Sequence, residues 1–189
     1  MDYAVSLNPA AASLDDLPFT PLGGQPGFAP GTVERFVRAP RIAVLAYTRA
    51  DGRPSQSPIW YTLRDGAFLM STVTGSPKQR ALARDPRVCL TIQDERPPYR
   101  AVIGDGVVEL SSIDARKDPT AGMAVRYLGR LGAPEYERLT AAEYARKGLT
   151  LITLRPRALR GFDNARALGR GARAFLWVRE HLPVLRRWL

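Results

Sequence analysis

Two Asp-Gly dipeptides, Asp51-Gly52 and Asp65-Gly66, separate short runs of strand-forming residues, and they constrain this chain more than any other feature. An Asp-Gly pair readily takes the positive φ angles of a tight hairpin turn, so the runs on either side return antiparallel. Those runs span 41–48, 57–63 and 67–72. Pro58 falls inside the second run, and proline cannot donate to a ladder, so that strand lies at a sheet edge or carries a bulge.

The pattern continues with one inserted helix and more strands. Ser76-Pro77 opens a helix over 76–84, with serine at the N-cap and proline at the first helical position, and Asp85-Pro86 stops it. Strands follow over 88–93, 101–110 and 148–154, with a shorter one over 159–162. Residues 117–147 read as helix in two pieces, broken near Gly132-Ala133-Pro134, and a short helix over 32–38 takes Thr32 as its N-cap. Residues 1–31 hold Pro9, Pro18, Pro21, Pro26, Pro30 and Gly23-Gly24 and form an irregular arm. The basic tail over 164–189 is helical, with Phe175, Val178, Leu182, Leu185 and Leu189 at helical spacing and Pro183 as a kink. The expected fold is mainly β: a small antiparallel barrel over 32–163 with helical additions.

Composition removes whole classes of chemistry. The single cysteine, Cys89, lies in an apolar strand, which excludes a disulfide framework, an iron–sulfur cluster and a cysteine zinc site. The single histidine, His181, lies in the tail, so a histidine zinc site is excluded and a Ser-His-Asp triad would need a tail residue. No GxGxxG follows a strand and no GxxxxGK[ST] occurs, so the hard chemistry of an enzyme here falls to a differently held cofactor. The start of the chain lacks a signal-peptide pattern and no apolar run approaches a membrane span, which leads to the expectation of a cytoplasmic protein.

Basic residues number 28 against 18 acidic, a net charge of +10, and the only lysines are Lys78, Lys117 and Lys147. That excess reflects either the codon bias of a GC-rich genome or an anion-binding surface; within the segment over 71–78, Ser71, Thr72 and Ser76 offer hydroxyls, the helix start offers backbone N–H groups, and Lys78 offers a cation. Residue chemistry alone makes it either a phosphate site or an ordinary capped helix with a solvated lysine.

The order of motifs then resembles a known family. Asp51-Gly52-Arg53-Pro54, Pro58-Ile59-Trp60-Tyr61, Ser71-Thr72, Ser76-Pro77-Lys78, Asp85-Pro86-Arg87-Val88 and Gly104-Asp105-Gly106-Val107-Val108-Glu109 resemble the pyridoxamine 5′-phosphate oxidase-like split-barrel family. Arg126-Tyr127-Leu128-Gly129 and Arg155-Pro156 with Gly161-Phe162-Asp163 are similar to its coenzyme F420-dependent branch. The resemblance implies a six-stranded split barrel, a homodimer, and a flavin or deazaflavin at the subunit interface. It implies that Ser57, Pro58, Ile59 and Trp60 lie against the ring, that Ser71, Thr72, Ser76, Pro77 and Lys78 hold the phosphate, and that Gln93 meets the ring or a partner subunit. The chain departs from the family pattern at Ala81, where asparagine is frequent, and at Ser55-Gln56, where histidine is frequent.

The implied activity is hydride transfer between reduced coenzyme F420 and a small conjugated or quinone-like acceptor, with FMN as the alternative cofactor and Tyr61 and Tyr127 as either packing residues or proton sources. Two other readings stand beside it. One is a non-catalytic flavin or tetrapyrrole carrier. The other is a tail that lies on an anionic membrane instead of packing on the dimer. No nucleic-acid recognition motif is present.

Overall fold

The computed structural model describes residues 13–114 and 118–181. The first twelve residues, the segment 115–117 and the tail from Leu182 through Pro183 to Leu189 lie outside the described residues. The elements, in chain order, are β1 (Phe19–Pro21), α1 (Val33–Arg38), β2 (Ala43–Thr48), β3 (Pro54–Ile59), β4 (Thr62–Arg64), β5 (Ala67–Val73), α2 (Pro77–Arg84), β6 (Arg87–Gln93), β7 (Arg100–Ser112), α3 (Met123–Lys147), β8 (Leu149–Leu154), β9 (Leu159–Asp163) and α4 (Arg170–His181).

Both Asp-Gly pairs lie in hairpin turns, but only Asp65-Gly66 takes the paired positive φ values; Asp51-Gly52 sits in a longer loop closed by Arg49 and Arg53. Asp65 and Gly66 take φ of 49° and 65°, the paired positive values of a tight hairpin joining β4 to β5. Gly52 takes φ of 79° in the β2–β3 turn, where Asp51 accepts the Arg53 N–H at 3.1 Å.

The strands run in the order β3-β2-β6-β7-β8-β5-β4, with β9 joining β7 and β1 pairing in parallel with β9. β3 and β4 are the two ends of that order, and the two-residue link Trp60-Tyr61 connects them. The sheet therefore curls into a barrel that stays open between its first and last strands. The expected second strand over 57–63 is two strands, and the nine strands exceed the six that the resemblance implies through this break, the unexpected β1, and β9, which matches the short strand read over 159–162. Pro58 sits on an edge, as its missing donor requires.

The long β7 makes the curl. Its first half pairs with β6 and β9, and from Val108 onward it pairs with β8. At the changeover stands Gly106, where a Cβ would meet Leu154 Cδ1 at 2.7 Å, so a side chain there would have to displace the Leu154 methyl. Alternating inward residues fill the interior: Val88, Leu90 and Ile92 of β6 and Thr150, Ile152 and Leu154 of β8 are buried. Leu45, Tyr61, Phe68, Met70 and Leu82 complete the core.

Two helical expectations are corrected. The break in α3 lies at Gly129, whose φ of 72° and ψ of 174° suit glycine, and not near Gly132-Ala133-Pro134. Thr32 precedes α1 but does not cap it: its hydroxyl donates to Ala29 O at 2.6 Å. Asp15, eighteen residues before Val33, caps instead, accepting the Val33 and Glu34 N–H groups at 2.8 and 3.3 Å. Residues from Ser13 onward thus pack on the barrel of their own chain. In the tail, α4 begins at Arg170 and Phe175 is half exposed. Among the described residues no helix is long and apolar enough to cross a membrane.

Candidate functional site

The β5–α2 junction is a tightly specified turn. Gly75 takes φ of 76° and lets the chain reverse out of β5, and the Ser76 N–H closes the turn on Val73 O at 3.1 Å. Ser76 is the N-cap: its Oγ accepts the Gln79 N–H at 3.1 Å and lies 3.2 Å from Thr72 Oγ1. Pro77 occupies the first helical position, where no N–H is needed. Thr74 ties the loop to β8 through its N–H to Gly148 O at 3.1 Å and its hydroxyl to Thr150 Oγ1 at 2.9 Å. The Arg80 guanidinium donates back to Gly75 O.

Lys78 stands at the second position of α2, where the helix leaves its amides without intrahelical acceptors and its dipole is positive. The lysine is half-buried and has no carboxylate partner among the described residues. Burial holds its ammonium below the usual lysine range. A desolvated cation beside the Lys78 amide and the paired Thr72 and Ser76 hydroxyls is an arrangement suited to an anion. Ser71 and Thr72, opposite Leu151 and Thr150 of β8, form the strand side of the same corner.

The β3 edge is the second part. The bond from Arg49 N–H to Arg53 O, at 2.9 Å, fixes the hairpin register, so the main-chain groups of Ser55, Ser57 and Ile59 face β2. Those of Pro54, Gln56 and Pro58 face outward. Two prolines leave Gln56 with the single outward donor of the strand, which protects the edge from pairing and leaves a row of carbonyls. Ser57 Oγ is buried with no hydrogen-bond partner. Pro58 is exposed and Ile59 buried.

Trp60 does not lie open beside this edge. Its ring stacks on Tyr127 at 4.9 Å and 4° and meets Tyr136 at 4.9 Å and 44°. The Tyr127 hydroxyl lies 2.9 Å from Arg41 O and 3.2 Å from Tyr61 O and accepts the Tyr61 N–H at 3.2 Å. Tyr61 is fully buried, donates to Val37 O at 2.6 Å, and burial pushes its phenol well above the usual range. Both tyrosines are thus committed to holding the β3–β4 link, as packing residues. The sequence offers Tyr127 as a packing residue or a proton source, and its place as the hub of this link comes from contacts with residues 66 and 86 positions away.

The structure brings Ser71, Thr72, Ser76, Pro77 and Lys78 to one corner and separates Gln93 from it. Gln93 opposes Ala101 near the start of β7, whereas Thr72 is level, through Thr150, with Ser112 at its end. That stretch of β7 measures roughly 35 Å at about 3.3 Å per residue. Gln93 instead borders a cleft of about 460 Å³ with Arg41, Asp94 and Arg100. Sequence reading missed these three charged residues, since Arg41 and Asp94 are 53 residues apart. Cys89 is half-buried, 3.9 Å from an Arg160 nitrogen, and burial raises its thiol pKa.

The chain matches the family model described as pyridoxamine 5′-phosphate oxidase over residues 29–162. Among solved structures, a conserved hypothetical protein from Mycobacterium tuberculosis superposes with a TM-score of 0.59 at 23% identity, covering 78% of this chain and 92% of its own. An F420 reductase aligns with a TM-score of 0.55 at 26% identity, over 69% of this chain and 98% of that one. Comparison with curated proteins finds no match.

Proposed function

This chain belongs to the pyridoxamine 5′-phosphate oxidase family, whose members are generally oxidoreductases on a flavin-binding split barrel, and from that premise we propose that it is an oxidoreductase that uses coenzyme F420. Its reaction is hydride transfer between the reduced deazaflavin and a small conjugated or quinone-like acceptor. One observation carries the reading: Lys78 is a half-buried cation without a carboxylate partner among the described residues, placed at a capped helix start. Removing a charge from water is unfavourable unless another charge compensates it, and a phosphate group of the cofactor does so.

The residues present fit such a group. Ser76, Thr72 and the Lys78 amide would hold phosphate oxygens beside the Lys78 ammonium. Ser57 Oγ, buried and unpartnered, is a polar group in want of a ligand atom on the strand that would face the ring. The outward carbonyls of β3 and the Gln56 N–H would fix the edge of a ring, and the Trp60–Tyr127 stack would hold that strand in place. When bound, the cofactor supplies the hydride. The protein supplies position and exclusion of water, with no side-chain nucleophile.

Two further points support the deazaflavin over FMN: the 26% identity to an F420 reductase, and a net charge of +10 that favours the more anionic coenzyme. The separation of Gln93 from Lys78 supports a homodimer, in which Gln93 of one subunit reaches the cofactor held by the other. The test is turnover. Purified protein mixed with reduced F420 and a quinone should regenerate oxidised F420 absorbance catalytically, and Lys78→Ala should raise the apparent KM for F420 by tenfold or more. Catalysis with reduced FMN alone would move the reading to an FMN-dependent enzyme, and a bound but inert cofactor would make the protein a carrier.

A further inference from the structure

We propose that two clefts meeting at Arg41 and Arg100 form a second anion site, for a compact polyanion with paired oxygens: a phosphate monoester or a di- or tricarboxylate. The first cleft, of about 460 Å³, lies between the chain entering β2 and the β6–β7 loop. The second, of about 250 Å³, lies between α1 and the end of β9. Arg41 and Arg100 line both. Both clefts sit by the start of β7, remote from the Lys78 corner of the same chain; Gln93 lines the first, so in the proposed homodimer this site adjoins the partner's cofactor, and its anion binding is tested on cofactor-free protein.

The two central arginines are fixed before any ligand arrives. Their Nε atoms donate to the two oxygens of the same carboxylate, Asp94, at 2.8 and 2.6 Å. Their guanidinium carbons lie 4.0 and 4.9 Å from the centre of the Phe36 ring. Arg41 also donates to Phe36 O. One carboxylate thus serves two guanidiniums, and the pair keeps a net positive charge. Both terminal nitrogens of Arg100 remain without a protein acceptor among the described residues, ready for the parallel two-oxygen contact that guanidinium favours.

The second cleft adds charge without neutralising it. Arg35, exposed on α1, has no carboxylate partner among the described residues. Among the described residues Arg166 donates to a main-chain carbonyl, Gly27 O, at 2.7 Å and pairs with no carboxylate. Over the two clefts Arg35, Arg41, Arg96, Arg100 and Arg166 face the carboxylates of Asp94, Glu95 and Asp163, and Asp163 already accepts the Ala165 N–H at 3.1 Å. Like charges gathered round a partly enclosed cleft repel one another, and a bound polyanion relieves that repulsion.

The experiment is calorimetric titration of the full-length protein with inorganic phosphate and, separately, citrate, at fixed low ionic strength. Arg35 and Arg166 are exposed, so Arg35→Gln with Arg166→Gln should fold, and circular dichroism checks that it does. The expected result is saturable binding that the glutamine double variant weakens by roughly fivefold to tenfold, that Arg35→Lys with Arg166→Lys largely keeps, and that Lys78→Ala leaves in place. Added salt should weaken it further. Whichever of phosphate and citrate binds more tightly assigns the ligand class. Unchanged affinity in the glutamine variant, or no saturable binding, would overturn the proposal. Loss of all binding in Lys78→Ala would also overturn it, while leaving the phosphate corner standing.

Discussion

Replacing Gly161 by alanine should be among the most damaging single-methyl changes this fold can receive. Gly161 lies in β9, opposite Val102 of β7 and Pro21 of β1. A Cβ there would stand 1.9 Å from Ala101 O, 2.9 Å from the Ala101 carbonyl carbon and 3.2 Å from Val102 Cα. All three are backbone atoms, so no side-chain rotation relieves the clash. Ordinary contact needs a separation of about 3.4 Å, so β9 must retreat from β7 by roughly 1.5 Å, beyond hydrogen-bonding range. The retreat also strains the bond from Leu22 N–H to Gly161 O, now 2.9 Å. Losing on the order of three ladder bonds at about 1 kcal/mol each, with some strain, gives a destabilisation of about 3–5 kcal/mol. Gly104→Ala is the control, because its Cβ would meet only side-chain atoms of Leu159 and Pro156, at 3.2 and 3.3 Å, and should cost below about 1.5 kcal/mol. Urea unfolding followed by circular dichroism measures both. A Gly161→Ala loss under about 1 kcal/mol, or one no larger than that of Gly104→Ala, would refute the steric reasoning.

Two further outcomes follow from the candidate site. Lys78→Met should stabilise the ligand-free protein, by the order of 0.5 kcal/mol once the solvent still reaching the ammonium is allowed for, while it weakens anion binding. The Lys78 pKa is lower folded than unfolded, so the folded state holds fewer protons and wild-type stability rises with pH in the window below the ordinary lysine value of 10.5. The methionine variant should lack that rise; urea midpoints at neutral and alkaline pH test this, and a less stable variant at neutral pH contradicts it. Tyr127→Phe keeps the stack on Trp60 but leaves the buried Tyr61 N–H without its acceptor, and should cost about 1–2 kcal/mol. A loss below about 0.3 kcal/mol in the same assay would show that the hydroxyl holds nothing.

What could be read from the sequence is local, and what could not is distant. The Asp-Gly turns, the Ser76 cap and the edge position of Pro58 follow from the backbone preferences of one or two residues, and the structure has each of them. The break between β3 and β4 follows from Tyr127, 66 residues away, whose hydroxyl takes the Tyr61 N–H that a continuous strand would have spent on a ladder. The cap of α1 comes from Asp15, and the Thr32 beside it turns its hydroxyl to Ala29. In α3 two glycine positions competed on equal local terms, and only tertiary packing distinguishes Gly129 from Gly132. The β5–α2 corner was legible as one cluster because its parts are contiguous. The Arg41–Asp94–Arg100 cluster was not, because the sheet assembles it.

Equilibrium binding of coenzyme F420 and of FMN, run in parallel on the wild-type chain and on Lys78→Ala, tests the central claim most directly. The account predicts tighter binding of F420 than of FMN, and a loss of about tenfold or more for F420 when Lys78 is removed, as befits a charge-assisted contact to phosphate. Equal F420 affinity in the two proteins, or binding of neither cofactor by the wild type, would contradict it and return the β5–α2 junction to an ordinary capped helix.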